Sequence, residues 1–231
     1  ILCCHHHGAG RVLNLSKGGQ IYWSQLNEEK RKATGSTAMV KAIHGTDVDT
    51  NLVREAVARK LRKKPNELIA VDFIKVEQLD LSGSQISDLQ SLEALTSLKM
   101  LHLCDTNVSN LEPLKALTGL RELRLSRTNI TNIEPLAGLT NLQGLWIDGT
   151  QVSKIEPLKS LTRLKKLDLG YTKVSKLEPL QSLKNLRMLW LPVSEINSID
   201  ALSSLTKLQV LCLHDTRVSS VEPLTALTNL Q

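Results

Sequence analysis

Apolar residues return along two-thirds of the chain with a fixed period of 22. Starting at Val76, the same position recurs at Leu98, Leu120, Leu142, Leu164, Leu186, Leu208 and Leu230 without a slip. Each unit opens with LxxLxL, where apolar positions alternate with outward-facing ones as they do along a short strand. A second apolar stretch, usually LEPLxxLT, follows at a different spacing. Self-similarity of this length predicts a stacked solenoid, in which a unit buries its apolar face only against its neighbours. Seven complete units and the start of an eighth fit between residues 76 and 231.

The two halves of the unit predict different backbone. Residues flanking the inner leucines, such as Gln78 and Asp80 around Leu79, point away from the core, and the stacked strands form a parallel sheet lining a concave face. On the other side, Pro113, Pro135, Pro157, Pro179 and Pro223 share one column and follow Glu112, Glu134, Glu156, Glu178 and Glu222. Proline near the first position of a helical turn lacks only an amide that would be unpaired anyway, and an acidic neighbour suits a helix start. Short 3₁₀ turns are therefore expected on the convex side. A β-branched column, Ile86, Val108, Ile130, Val152, Val174, Ile196 and Val218, marks where the chain turns back across the core.

Before the repeats the pattern changes. Residues 1–46 hold six of the twelve glycines and no sustained periodicity, which predicts a poorly ordered leader. Its one ordered element would be a hairpin, Val12 to Ser16 against Gln20 to Trp23 around Lys17, Gly18 and Gly19. Residues 47–75 read as a helical cap. Asp49 or Thr50 offers an N-cap, Leu52, Val53, Ala56, Val57 and Leu61 recur at helical spacing, and Pro65 stops the run. A second short helical or turn segment, about Glu67 to Ile74, leads into the first strand. Such a cap covers the apolar end of the first repeat.

These units are similar to those of the bacterial internalin-like leucine-rich repeat proteins, which also run 22 residues with LxxLxL, I(S/T), (D/E)PL and LTNL segments. The resemblance reaches into the cap at Asp49, Leu52, Ala56, Leu61, Lys63, Leu68 and Asp72. It implies an α/β leucine-rich repeat solenoid, a horseshoe that recognises a protein partner through its concave face. One column departs from the family: Ser84, Thr106, Thr128, Thr150, Thr172, Ser194 and Thr216 stand where Asn is usual. A buried Asn bridges neighbouring turns with donor and acceptor, and a hydroxyl is expected to satisfy part of that bonding. Similar units occur in cytosolic regulatory subunits of protein phosphatase 1, so localisation, cell surface or cytoplasm, stays open.

Net charge of +6 suggests nucleic acid until it is divided. Residues 1–75 carry 13 Lys/Arg against 7 Asp/Glu, and residues 76–231 carry 16 of each. The repeats as a whole therefore lack the excess that phosphate backbones require. No apolar run approaches the ~20 residues of a membrane span. Cys104 and Cys212 lie five repeats apart, about 24 Å at ~4.8 Å per strand, too far for a disulfide. Cys3, Cys4, His5, His6 and His7 are contiguous, without the separation that lets a segment wrap a metal ion. The basic run Arg59, Lys60, Arg62, Lys63 and Lys64 suits the last turn of the cap helix.

Function is expected where the pattern is broken. The central outward column reads Asp80, His102, Arg124, Trp146, Asp168, Trp190 and Cys212, changing class at every step. Beside it stand Met188 on one side and Tyr171 on the other. All aromatics of the repeats, Trp146, Tyr171 and Trp190, are outside the leucine core, and aromatics, Arg and Met are typical of interface hot spots. Arg124, Trp146, Asp168, Tyr171, Met188 and Trp190 form the candidate partner-binding set. Trp146 and Trp190, about 10 Å apart, with Asp168 between them, suggest a clamp for a partner's Lys or Arg.

The pairs His102 with Cys104 and Cys212 with His214 each share a face, yet neither comes with an identifiable oriented base or oxyanion donors. No phosphate loop, usable zinc-ligand pair or serine elbow is present. A binding module without catalysis, cofactor or metal is the expectation; the alternative is a regulatory segment of a larger enzyme. Leu208, Leu211 and Leu213 end the array beside an incomplete unit, which predicts self-association through an uncapped edge.

Overall fold

The computed structural model describes residues 37–231 together with two short strands near the N-terminus. Those strands, β1 (Val12–Leu15) and β2 (Gly19–Tyr22), form the antiparallel hairpin expected there, with Val12 opposite Tyr22 and Leu15 opposite Gly19. The rest of the expected leader up to residue 36, including the Cys3 to His7 tract, lies outside the described residues.

Residues 37–44 depart from the leader reading, because they form helix α1 (Thr37–His44). Met39 and Ala42 are fully buried, the helix packs on the 3₁₀ turn Gln90–Ala94, and Lys41 pairs with Asp88 at 2.6 Å. Gly45 ends it, its amide donating to the Lys41 carbonyl at 2.7 Å. A Cβ there would lie 2.6 Å from that oxygen, so only glycine fits. Helix α2 (Val48–Leu61) follows, with Val53, Ala56 and Val57 buried against the first repeat.

The N-cap of α2 is Asp47, whose Oδ1 accepts from the Thr50 amide at 2.9 Å, and not Asp49 or Thr50. Both of those residues are engaged with the first repeat. Asp49 accepts from the Ser87 and Asp88 amides at 2.9 and 3.1 Å, and the Thr50 hydroxyl meets Ser91 Oγ at 2.8 Å. The helix stops at Arg62, in left-handed conformation with φ 56°, before Pro65 is reached. A 3₁₀ turn (Pro65–Glu67) and helix α3 (Ala70–Phe73) complete the cap. Phe73 is fully buried, and the buried Asp72 carboxylate accepts from Lys63 Nζ at 2.8 Å and from the Ile69 amide at 3.0 Å. Its charge is thus paired and its lone pairs used, the condition on which a buried carboxylate is tolerated.

Seven strands of three residues then stack in sequence order into one parallel sheet: β3 (Gln78–Asp80), β4 (Met100–His102), β5 (Glu122–Arg124), β6 (Gly144–Trp146), β7 (Lys166–Asp168), β8 (Met188–Trp190) and β9 (Val210–Cys212). Each residue pairs with the one 22 positions on, as Leu101 with Leu123 and Trp146 with Asp168. The convex side carries the expected 3₁₀ turns, such as Glu112–Ala116 and Glu156–Ser160. Asn110 and Asn132 cap two of them by accepting from the Glu112 and Glu134 amides, both at 2.9 Å.

Between sheet and turns, seven apolar columns, which in the second repeat are Leu98, Leu101, Leu103, Val108, Leu111, Leu114 and Leu117, are buried through the first six repeats. In the seventh, Leu211, Leu213, Val218 and Leu224 are only partly buried and Val221 is 65% exposed, since this repeat is covered on one side only.

The hydroxyl column works within its own repeat. Thr106, Thr128, Thr150 and Thr172 each donate to the carbonyl three residues back, at 2.6–2.7 Å. They close a turn and do not bridge to a neighbour. Bridging falls instead to Asn141, Asn185 and Asn229, whose amides donate to the carbonyls of Thr118, Thr162 and Thr206 in the preceding repeat at 2.8–3.0 Å.

After each strand one residue adopts positive φ: Gly83, Asp105, Arg127, Gly149, Tyr171, Val193 and Asp215. That conformation aims its amide at the next repeat, as Arg127 N–H to the Asp148 carbonyl (2.8 Å) and Val193 N–H to the His214 carbonyl (3.0 Å). Glycine adopts it without strain, and a β-branched residue does so least readily. Val193, at φ 48° and 39% exposed, gives little packing in return. Val193→Gly is therefore expected to stabilise the solenoid by about 1 kcal/mol. The urea midpoint should rise; a fall would show that the Val193 side chain matters more than its backbone.

Candidate functional site

Parallel register sets the variable column in a row across the sheet: Asp80, His102, Arg124, Trp146, Asp168, Trp190, Cys212, one per strand. Neighbours in this row are ~4.8 Å apart in backbone. Their side chains organise in two groups. In the first, Glu122 is the hub, accepting Arg124 Nε at 2.8 Å and lying 3.2 Å from His102 Nε2. The Arg124 guanidinium in turn sits 4.5 Å from the Trp146 ring centroid, a cation–π contact that occupies one face of the indole. Gly144 makes room for this ring, since a Cβ there would lie 2.6 and 2.7 Å from its Cζ3 and Cη2.

The second group is Asp168 with Met188 and Trp190, half-buried on β7 and β8. Asp168 Oδ1 accepts the Gly170 amide at 3.0 Å, and no cationic side chain bonds it among the described residues. Lys166 and Arg124, the nearby cations, do not neutralise it. Tyr171 stands apart from the strand face. It is 58% exposed at the left-handed position beyond β7 and lines a separate shallow depression with Lys173, Glu195 and Arg217. Of the six expected residues, the structure thus brings Arg124 to Trp146 and Asp168 to the strand bearing Met188 and Trp190, and leaves Tyr171 at the rim.

Glu122 and Gly144 lie outside the six expected residues. The signal was there: one glycine in a column that otherwise reads Gln78, Met100, Glu122, Lys166, Met188 and Val210. In the His/Cys pairs, His102 is held by Glu122, and His214 Nδ1 lies 3.0 Å from Asp215. Cys104 and Cys212 are free thiols. Among the described residues no cluster of His, Cys, Asp and Glu could hold a metal ion, and no helix is long and apolar enough to cross a membrane.

A family model described as leucine-rich repeats in two copies matches residues 118–160 and 162–207. Internalin C2 of Listeria monocytogenes superposes with a TM-score of 0.65 at 31% identity, over 78% of this chain and 90% of its own. The chain is a leucine-rich repeat protein. An internalin (inlF) of the same organism has a TM-score of 0.68 at 24% identity, covering 83% of this chain and 63% of its own. A leucine-rich repeat protein of Leptospira interrogans gives 0.58 at 23%, over 64% and 40%. These last two likenesses concern fold alone. No curated protein sequence matches the chain.

Two carboxylates of this leucine-rich repeat protein share one column and differ in acidity. Asp80 is held below the usual carboxylate range, chiefly by the Ser82 amide it accepts at 3.0 Å. Burial pushes Asp168 up to about 6 from an ordinary 3.8; the Gly170 amide opposes the rise and the charge of Asp148 adds to it. The folded state therefore favours protonated Asp168. Its stabilisation is complete below the unfolded value near 3.8 and is lost as pH rises through about 6.

At neutral pH the ionised group destabilises the fold. Asp168→Asn keeps the carbonyl oxygen that accepts from Gly170 and is expected to stabilise by about 1–2 kcal/mol at pH 8, after allowance for solvent screening. The gap should close by pH 4 in parallel urea titrations. A pH-independent gap would mean that Asp168 is not desolvated.

Proposed function

We infer that this chain is a protein-binding module, the role that leucine-rich repeats commonly have. We propose that it belongs to the internalin type of bacterial leucine-rich repeat proteins, that it binds its partner on the concave sheet, and that it has no catalysis of its own. The observation that carries this reading is Asp168. A carboxylate with no cationic partner among the described residues, half-buried beside Trp190 and destabilising when ionised, stands in the centre of the exposed face. Charged groups held at the expense of stability are characteristic of sites that use them. The chemistry that would relieve it is a Lys or Arg side chain from a partner, bonding Asp168 and packing on the Trp190 indole. Trp146, with one face taken by Arg124, borders the site and helps exclude water.

Three features support a non-catalytic reading. His102 is bonded to Glu122 and not to Cys104, His214 faces Asp215, and the face is an open sheet. Rigid presentation would be the mechanism, since stacked strands hold the contact residues in place and lower the ordering cost of association.

A random-peptide display library panned on the chain at pH 7.5 tests the site. Enriched peptides are expected to carry Arg or Lys, to lose roughly tenfold or more in affinity on Asp168→Asn or Trp190→Ala, and to weaken below about pH 6 as Asp168 protonates. Binders without cationic preference, or binders indifferent to both substitutions, would sink the reading.

We also propose that the 231-residue polypeptide self-associates through its last repeat, where Val221 is exposed and, among the described residues, no strand pairs with the outer side of β9. Sedimentation velocity should show oligomers whose population grows with concentration; a monomer at all concentrations would refute this.

A further inference from the structure

Charge on the repeats sums to zero but is not evenly spread. The convex turns begin with Glu112, Glu134, Glu156 and Glu178, whereas cations collect where the strands begin. At that edge a cleft of about 380 Å³ runs across the starts of β3 to β7, lined by Lys99, Arg121, Lys165 and Lys166 with Met100, Gly144 and the Trp146 indole among them. A second cleft, of about 490 Å³, lies between α2 and β3 and is lined by Arg59 and Lys60. The two share Gln78 and Met100, so they form one trough from the cap helix to the fifth strand of the sheet.

The cations of the trough are not neutralised within the molecule. Among the described residues, Arg59, Lys99, Arg121 and Lys166 make no ion pair. Lys60 and Lys165 reach only amide oxygens, Gln78 Oε1 at 3.4 Å and Gln143 Oε1 at 2.9 Å. Elsewhere on the surface the same residue types do find carboxylates, as Arg127 does with Asp105 and Lys41 with Asp88. Lys99 and Arg121 lie one repeat apart and Lys165 two repeats further on, like charges that repel one another and favour an anionic ligand.

We propose that this trough docks an extended acidic segment of a protein partner, with an aromatic or other apolar side chain over Trp146. β3 to β7 span about 19 Å, the length of roughly six extended residues. Glu77, Asp80 and Glu122 also line the trough. They oppose a polyanion with a charge on every unit, such as a nucleic acid, and suit a peptide whose carboxylates alternate with neutral or apolar residues. The proposal rests on the reading of the chain as a protein-binding module but not on the Asp168 contact.

The test is fluorescence anisotropy with a labelled octapeptide of Asp and Glu around one central Phe, compared with oligo-dT of equal length. The peptide is expected to bind more tightly than oligo-dT and to weaken with added salt. The exposed pair Arg121→Glu with Lys165→Glu should lower its affinity roughly tenfold or more, whereas Lys154→Glu with Lys176→Glu, away from the trough, should leave it within about twofold. Asp168→Asn should not weaken it, which separates this surface from the cation site. Thermal unfolding of each variant verifies that the fold is intact. No peptide binding at about 100 µM, tighter oligo-dT binding, or equal losses from both charge-reversal pairs would overturn the proposal.

Discussion

No repeat of this molecule has enough internal contact to exist alone, and that constraint governs everything else. A strand of three residues closes no hydrogen bonds within itself; its amides and carbonyls are satisfied only by the strands 22 residues before and after. The leucines under it are in the same position, buried by the leucines of adjacent repeats. Register and burial therefore enforce one another, because a slip of one residue would turn the leucines outward along the whole strand. The period is kept without error since an insertion in any unit would break bonding on both its sides. The left-handed residue after each strand belongs to the same requirement, and the fold accepts strain at Val193 to keep one amide directed at the next repeat.

What stacking fixes, function cannot vary, so chemistry is confined to the outward positions. There the molecule accepts local destabilisation of a second kind. Asp168 and the cations of the strand-start edge are arrangements that a sequence shaped for stability alone would remove, by amidation in one case and by pairing in the other. The hydrophobic stack is deep enough to tolerate both. Each of the first six repeats buries a full set of apolar columns at about 2 kcal/mol per Leu, against which one desolvated carboxylate is small.

Much of this was legible in the sequence, and the remainder was hidden for identifiable reasons. Columns, concave sheet, convex 3₁₀ turns and cap follow from periodicity, because each depends on contacts that recur. Helix α1 did not, since its eight residues between glycines hold no repeated pattern and are stabilised by the distant turn Gln90–Ala94. The N-cap of α2 was misplaced by two or three residues for a similar reason: Asp47, Asp49 and Thr50 are all good caps, and Ser87, Asp88 and Ser91 decide among them from 38 to 41 residues away. In the site, the row of residues was readable but the hub was not. That Glu122 gathers His102 and Arg124, and that Gly144 leaves space for Trp146, are facts of side-chain direction. The basic trough was concealed by addition, because the convex glutamates cancel its strand-start cations in the sum over the repeats.

The position of the Glu122 hub gives the face its internal logic. A sheet bearing an unpaired carboxylate at Asp168 and unpaired cations at Lys99, Arg121 and Lys166 would lose both if long side chains simply swung together. Arg124, the one strand-centre cation near Asp168, is held by a charge-assisted bond to Glu122 and by the face of Trp146. Lys165 is directed toward Gln143 instead of across the sheet. The contacts that look least available to a partner thus keep the negative centre and the positive edge apart. A negative centre beside a positive edge is a stricter description of a partner than either charge alone, because a ligand must match the order as well as the signs.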